Sequence, residues 1–385
     1  MSISIGSSQS LFLRERKTVY TILFIPSAGG DLSANATLDS IVISTGVLGE
    51  SAVTASKLLA DIARNAAFTD AEVGIAKRNA ASTLEANEAE PHFLARRALY
   101  RALFGDHPYA AIAPTRQSLA QTTAADLKRE YARRFRPDRA LLVVVGNFDE
   151  NQLSAAIHSG FDSWRASGEA SVVDVGKPKG SITKAVIYVP RANSVQTALY
   201  LGIAGPSRSE PDYIPAQVAN AIYGGMFGSR LINNIREDKG YTYSPFSSLS
   251  HYRESGVLVT QADVRNEVTG ASFNEISYEL NRMASTVPEE AELERAKRYL
   301  IGSLAIQLQS QTAVARSLAG IWTESLPPEE LWRQSQRIEQ VASKDVQSAS
   351  RQYFPAWRMT VIAVGEEKVI KDELSPFGLE FQKAP

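Results

Sequence analysis

An internal repeat constrains the fold most, because two copies of one pattern require two copies of one structural unit. A segment reading Glu, an apolar residue, two variable residues and Ala-Lys-Arg begins at Glu72 and again at Glu292, 220 residues later. An Ala-Arg pair follows 23 residues after each of these glutamates. Both segments are typical of amphipathic helices.

A second pair of landmarks keeps almost the same offset. Asp126 and Asp345, 219 residues apart, each begin a predicted helix that ends near a proline. A short β-branched run then leads to a glycine, and these runs predict buried strands at Ala140–Val145 and Met359–Val364. The sequence therefore predicts an α+β fold of two tandem homologous units, each a mostly antiparallel sheet packed with helices.

The repeat also predicts the domain organisation. The chain of 385 residues is longer than one hydrophobic core usually supports. Residues 166–183 are rich in Gly, Ser, Lys and Pro and are interpreted as a linker between a first unit, 1–165, and a second unit, 184–385.

The second unit opens with elements that the first unit cannot match. Strands are predicted at Ala185–Val189 and Gln196–Ile203, and a helix from Pro215 through Gly225. Subtracting the offset leads to numbers below 1 for both strands and for the first half of the helix. We therefore expect the first unit to be truncated at its N-terminus, either naturally or because the chain is a fragment.

Composition excludes several classes of protein. The chain has no cysteine, so disulfides, thiolate nucleophiles and cysteine-based metal sites are excluded. A net charge of −1 without a basic stripe gives no indication of nucleic-acid binding. No run is long and apolar enough for a membrane helix. Residues 14–30 are consistent with a signal peptide or with a buried strand at Val19–Ile25.

The stretch GGMFGSRLINNIREDKGYTYS, residues 224–244, holds the candidate site. It joins two glycines to a helix-like run that ends in Arg236, Gly240 and Tyr243. Arginine offers a rigid fork of donors, and a tyrosine hydroxyl adds another donor. The same pattern is also consistent with two purely structural roles: the arginine favours the helix dipole, or Tyr241 and Tyr243 pack in a strand.

These motifs resemble the M16 zinc peptidases, which include the mitochondrial processing peptidase, pitrilysin and the core proteins of the bc1 complex. The resemblance extends from Gly29 to about Gly365 and is most specific at residues 224–244. It also includes Gly29-Gly30 with the Asn-Ala-Thr of residues 35–37, and Asp-His-Pro-Tyr at 106–109.

Active members of that family carry His-x-x-Glu-His, with a third ligand on a later helix. The four histidines here, His92, His107, His158 and His251, form no such motif. The resemblance places the later helix at Lys77–Glu90, with the ligand position near Thr83–Glu85. We therefore expect no metal ligands and no catalytic residues in this chain alone. His107 is expected to anchor a loop.

In the resembled family an arginine and a tyrosine seven residues apart face the zinc site of a partner and grip the substrate. The resemblance implies that role for Arg236 and Tyr243, and zinc is expected only on a partner subunit. The edge strand that takes up peptide in the family corresponds to Leu38–Val47, which is equally consistent with a core strand.

The resulting hypothesis is a non-catalytic M16-like subunit that pairs with a zinc-bearing partner, or self-associates, and encloses a peptide. The alternatives are a purely structural subunit like the bc1 core proteins, or a truncated active zinc peptidase. Bacterial periplasm and cytoplasm both stay open as the compartment.

Overall fold

The computed structural model describes residues 30–166, 168, 175–179 and 185–384. The predicted strand Val19–Ile25 and most of the predicted linker lie outside the described residues. The described residues form two compact units. The first unit contains residues up to 86, from 113 to 168 and from 310 to 319. The second unit contains residues from 87 to 112, from 175 to 309 and from 320 onwards.

The described strands and helices are numbered here in chain order. The strands are β1 (Asp31–Ala36), β2 (Ile41–Gly46), β3 (Val186–Pro190), β4 (Gln196–Gly205), β5 (Phe246–His251), β6 (Gly256–Arg265), β7 (Thr360–Gly365) and β8 (Phe381–Lys383). The helices are α1 (Ala52–Asn65), α2 (Asp70–Glu88), α3 (Pro91–Phe104), α4 (Arg116–Gln121), α5 (Ala124–Arg134), α6 (Glu150–Phe161), α7 (Tyr213–Asn220), α8 (Arg230–Ile232), α9 (Thr269–Ser285), α10 (Glu290–Gln307), α11 (Gln311–Thr323), α12 (Glu330–Glu339), α13 (Ser343–Tyr353) and α14 (Glu367–Leu374).

In the first unit, β1 and β2 form an antiparallel hairpin in which Ala34 lies opposite Ile43. The predicted strand Leu38–Val47 is confirmed over the length of β2. Helix α5 begins with a capping box, in which the Asp126 carboxylate accepts a hydrogen bond from the backbone N–H of Thr123 at 3.0 Å. In the second unit Asp345 accepts the backbone N–H of Ala342 at the start of α13 in the same way.

The predicted buried strand Ala140–Val145 is wrong. In the described chain these residues form no strand and are largely exposed. Leu141, Leu142 and Val144 are 44%, 39% and 42% exposed. A strand is buried only where neighbouring strands and covering helices exist, and within the described residues β1 and β2 pair with each other alone. The corresponding run in the second unit, β7, is buried along its whole length.

The second unit contains a six-stranded mixed sheet with the order β5-β6-β4-β7-β3-β8. The three pairings from β5 to β7 are antiparallel, and the two pairings of β3 are parallel. The predicted strands at Ala185–Val189, Gln196–Ile203 and Met359–Val364 are confirmed as β3, β4 and β7. The fold is therefore α+β, with helices packed on a mixed sheet.

Strand β4 is buried from Thr197 to Ile203, so both of its faces are covered. Leu199 and Leu201 point into the large core formed with the helices of the second unit. On the other face Gly202 lies under α3: a Cβ atom at Gly202 would lie 2.7 Å from a methyl group of Leu99. Leu99 itself is fully buried. Helix α3 therefore covers the second face of the sheet.

Replacement of Leu99 by alanine should leave a cavity between α3 and β4. Because buried Leu→Ala changes lose both transfer energy and packing, we expect the free energy of unfolding to fall by about 3 kcal/mol. Urea denaturation followed by circular dichroism measures this change. Leu48, which is 59% exposed, gives the matched control, and Leu48→Ala should change stability by less than about 0.5 kcal/mol. Equal losses in both variants would contradict the packing described.

Candidate functional site

A wide helical turn begins the candidate site. Helix α7 runs into a π-helical turn at Ala221–Gly225, so the predicted helix from Pro215 through Gly225 ends in an irregular turn. A Cβ atom at Gly224 would lie 2.8 Å from the Cβ of Ser247 on β5, so glycine permits this close approach. The side chain of Asn220 donates to the Ser247 carbonyl at 3.1 Å. The turn is thereby fixed against the edge of the sheet.

A buried ion pair anchors the next segment. The Arg230 guanidinium donates to both carboxylate oxygens of Glu292 on α10, at 2.8 and 2.6 Å. This hydrogen bonding holds the pKa of the Glu292 carboxyl below its ordinary value, against the effect of burial. Leu231 and Ile235 are fully buried on the same segment. The segment's inner face is therefore held tightly to the core.

A second π-helical segment, Asn233–Asp238, includes Arg236 near its C-terminal end. The chain then reverses at Gly240, whose φ of +64° lies in the left-handed region that favours glycine. The Gly240 N–H donates to the Arg236 carbonyl at 3.1 Å, and the Tyr241 N–H donates to the Ile235 carbonyl at 2.9 Å. Gly240 is therefore the turn residue between Arg236 and Tyr243.

The two predicted site residues meet in what we call the arginine clamp, formed by Phe227, Arg236 and Tyr243. The Arg236 guanidinium carbon lies 4.9 Å from the centre of the Tyr243 ring and 5.4 Å from that of Phe227. These distances are those of cation–π contacts. Phe227 and Tyr243 are 73% and 80% exposed, so the clamp faces solvent. Its role in binding stays a prediction.

The two structural roles considered for this motif have different outcomes. Tyr243 does not pack in a strand, because β5 begins only at Phe246 and the tyrosine ring is exposed. Arg236 does lie in the last turn of its helical segment, where a positive charge favours the helix dipole. This effect does not account for the two exposed rings that contact the guanidinium.

The clamp opens onto a cavity of about 440 Å³. The residues that line the cavity are Arg236, Glu237, Gly240, Tyr241, Thr242 and Tyr243, together with Gln196 and Arg265. Gln196 begins β4 and lies directly opposite Arg265, the last residue of β6. The cavity is therefore bounded by the ends of two central strands and by the glycine turn.

Phe227, Gln196 and Arg265 belong to this site and were not found from the sequence. Phe227 lies within the stretch already singled out, and an aromatic residue next to Gly228, which has a φ of +78°, is a weak signal for an exposed ring. Gln196 and Arg265 reach the site only through strand pairing over 69 residues of sequence. No local pattern carries that information.

Each of the four histidines contacts a different set of residues. The imidazole of His92 hydrogen bonds with the Tyr200 hydroxyl and pairs with the Asp263 carboxylate, both at 2.9 Å. Burial raises the pKa of Tyr200 to about 12, so this hydroxyl stays protonated at neutral pH. His107 contacts the carbonyls of residues 175 and 176 at 3.2 Å, which confirms its role as a loop anchor. His158 and His251 pair with Asp162 and Glu324.

The residues that the structure describes do not fit a catalytic zinc site. Within the described chain, no three His, Asp or Glu side chains gather in a way that could hold a metal ion. The helix predicted at Lys77–Glu90 forms as α2, but Glu85 is exposed to solvent. Glu88 instead forms an ion pair with Arg97 at 2.8 Å.

Comparison with known proteins identifies similar sequences. Residues 121–300 match a family described as the peptidase M16 inactive domain. A protein of Mycobacterium tuberculosis named an uncharacterized zinc protease is 26% identical over 329 residues, which cover 84% of this chain and 74% of that protein.

Solved structures share the fold. The crystal structure of a peptidase M16 inactive domain from Pseudomonas fluorescens matches with a TM-score of 0.82 at 22% identity, covering 93% of this chain and 85% of that chain. A chain of Complex III2 from Candida albicans matches with a TM-score of 0.77 at 20% identity, covering 96% and 89% of the two chains.

Among the helices that the structure describes, none has the length and apolar character to cross a membrane.

The ion pair behind the clamp should make stability depend on pH. Because the folded-state pKa of Glu292 is lowered, the pair contributes fully above about pH 4.5 and its contribution is lost as the pH falls through the folded-state pKa. Glu292→Gln leaves Arg230 buried without its partner, so we expect a loss of about 3 kcal/mol at pH 7. Urea denaturation at pH 7 and pH 4 measures how far this difference shrinks.

Glu290→Gln is the matched control for this experiment. Glu290 lies in the first turn of the same helix and is exposed to solvent. A surface substitution of this kind changes stability by about 0.5 kcal/mol or less. A loss for Glu292→Gln no larger than that for Glu290→Gln would show that the buried pair does not hold the segment.

Proposed function

Because the chain belongs to the M16 peptidase family, we propose that it is a non-catalytic subunit that binds peptide beside the active site of a zinc-bearing M16 partner. The observation that carries this proposal is the arginine clamp: a guanidinium in contact with two exposed rings, beside a cavity. The similarity to the family's inactive domain supports the same proposal.

The chemistry of the clamp suits a peptide carbonyl. The guanidinium stays charged at all physiological pH values and presents several N–H donors in one plane. The two rings restrict that plane, so less freedom is lost when a carbonyl oxygen binds. The Tyr243 hydroxyl adds a donor on an exposed side chain. Arg236 and Tyr243 would hold the substrate backbone, and bond cleavage would take place on the partner.

The proposal includes a two-unit architecture. We propose that residues 1–165 and 184–385 are homologous units joined by the linker 166–183. The matching helices at Glu72 and Glu292, and the matching aspartate caps of α5 and α13, support this proposal. The partner is a zinc-bearing subunit in a heterodimer or a second copy of this chain.

A purely structural subunit is the second candidate. The fold similarity to a chain of Complex III2 supports it. Such a role needs no grip on a peptide, so it gives no reason for Phe227 and Tyr243 to enclose Arg236 at an open cavity. The clamp therefore favours the peptide-binding subunit, and substitutions in the clamp distinguish the two candidates.

The first experiment reconstitutes the purified chain with a zinc-bearing M16 subunit from the same genome and measures cleavage of a fluorogenic peptide. We expect no cleavage by this chain alone. In the complex, Arg236→Ala should lower kcat/KM by about 100-fold, because one donor to a developing oxyanion contributes about 3 kcal/mol. Tyr243→Phe should lower it less. The control Arg351→Ala, at an exposed position of helix α13, should match wild type. Full activity in both clamp variants would favour the structural subunit.

The second experiment addresses the ring that the sequence did not single out. Phe227→Ala removes one face of the clamp, and an exposed cation–π contact contributes about 0.5–1 kcal/mol, so kcat/KM should fall about threefold. Phe227→Tyr should retain activity. Because Phe227 is 73% exposed, the urea midpoint should not change in either variant. A loss of stability that equals the loss of activity would show that Phe227 acts only in folding.

A further inference from the structure

The cavity beside the clamp is lined by two guanidinium groups, whereas a backbone grip requires only one. Two arginines, Arg236 and Arg265, line it, and Glu237 is the single carboxylate among its lining residues. A peptide carbonyl is neutral and needs one cationic donor at most. A second guanidinium at the same cavity is the arrangement that recognises an anion.

Arg265 is held in place by contacts that leave part of its guanidinium for a ligand. Its Nε donates to Glu267 at 2.8 Å, and one terminal nitrogen donates to the Gly240 carbonyl at 3.2 Å. The side chain is still 55% exposed. The Gly240 contact ties this arginine to the same turn that positions the clamp. Both arginines are therefore fixed relative to one structural element.

The neighbouring strand residues add a neutral donor and little negative charge. Gln196 lies directly opposite Arg265, so its amide is on the same face of the sheet. Asp263 faces the same side two residues earlier, but it is paired with His92 at 2.9 Å. Burial raises the pKa of Asp263, and the His92 imidazole acts against that effect. This carboxylate is already engaged by a partner.

Arg236 has one ionic partner among the described residues, Glu237, whose oxygen lies 3.2 Å from its Nε. This contact is made through Nε and does not occupy the terminal nitrogens, and Arg236 lines the cavity. Glu237 is 49% exposed and can move aside. It therefore competes with an incoming anion at the same arginine.

We propose that this cavity recognises a carboxylate of the bound peptide through Arg265 and Arg236. The proposal rests on the proposed peptide-binding function and names the class of peptide preferred: one with an acidic side chain or a free C-terminus next to the segment gripped by the clamp. The two sources share one chemistry, a planar carboxylate that accepts paired hydrogen bonds from a guanidinium. Gln196 would contribute an additional amide donor.

The test measures binding by the full chain without any partner. Fluorescein-labelled ten-residue peptides of Ser, Gly, Ala and Val carry one central Glu or one central Gln, and each is made with a free or an amidated C-terminus. Fluorescence anisotropy gives the Kd values. We expect a carboxylate to tighten binding about tenfold, since hydrogen bonds between charged groups contribute about 1.5 kcal/mol. The Glu and Gln pair tests a side chain, and the free and amidated pair tests the terminus.

Variants assign the effect to the two arginines. Arg265→Gln should abolish the preference for carboxylate, so that the four peptides bind this variant with equal Kd values. Glu237→Gln should strengthen the preference, because it removes one of the two carboxylates, Glu237 and Glu267, that already pair with these arginines. Arg351→Gln on α13 is the matched control and should leave all Kd values unchanged. The preference should weaken between 50 and 300 mM salt, because exposed charges are screened.

The outcomes separate this inference from the proposed function. Equal affinities for all four peptides, with binding still dependent on Arg236, would overturn the carboxylate preference and leave peptide binding intact. Binding of none of the peptides would overturn both. A preference that survives Arg265→Gln would show that the carboxylate is bound elsewhere and would also overturn the inference.

Discussion

Burial of β4 on both faces is the constraint on which the second unit depends. A strand without an exposed face needs neighbours at both edges and cover above and below. β6 and β7 supply the edges, the helices of the second unit cover one face, and α3 covers the other. Because α3 spans residues 91–104, this sheet recruits a helix from the first third of the chain. The stability of this sheet therefore depends on a helix that lies far from its strands in the sequence.

The same strand also positions the candidate site. The first residue of β4, Gln196, pairs with the last residue of β6, Arg265, and Arg265 donates to the glycine turn that follows Arg236. Behind the turn, the Arg230–Glu292 pair and the buried Ile235 hold the helical segment to the core. A rigid sheet and a buried ion pair thus support an exposed cation and two exposed rings. Exposed side chains are positioned well only when their backbone is fixed in this way.

The sequence predicted what depends on local spacing. Glycine at position 240 and the seven-residue separation of Arg236 and Tyr243 were readable, because a helix end, a left-handed turn and a short return bring these residues together locally. Arg265 was not readable, because its place at the cavity comes from strand pairing with Gln196. Phe227 was not singled out, because nothing in its neighbours distinguishes an exposed aromatic ring from a core residue.

The run Ala140–Val145 shows the opposite error. Its β-branched and apolar residues predict a buried strand as strongly as those of β7 do, but only β7 is enclosed by partner strands. Burial depends on what the rest of the chain supplies, and a local pattern does not contain that information. The strand prediction succeeded where a complete sheet surrounds the segment and its burial failed where the described sheet consists of one hairpin.

The two wide turns at residues 221–225 and 233–238 make the clamp depend on residue count as well as residue type. A π-helical turn corresponds to one extra residue accommodated in a helix. Deleting one residue from the turn before Arg236 would restore regular winding and rotate the guanidinium by about 100° around the helix axis. Arginine, phenylalanine and tyrosine would all remain, but the rings would no longer enclose the cation. Deletion of one residue would therefore abolish the contacts between the guanidinium and the two rings, although all three side chains would still be present.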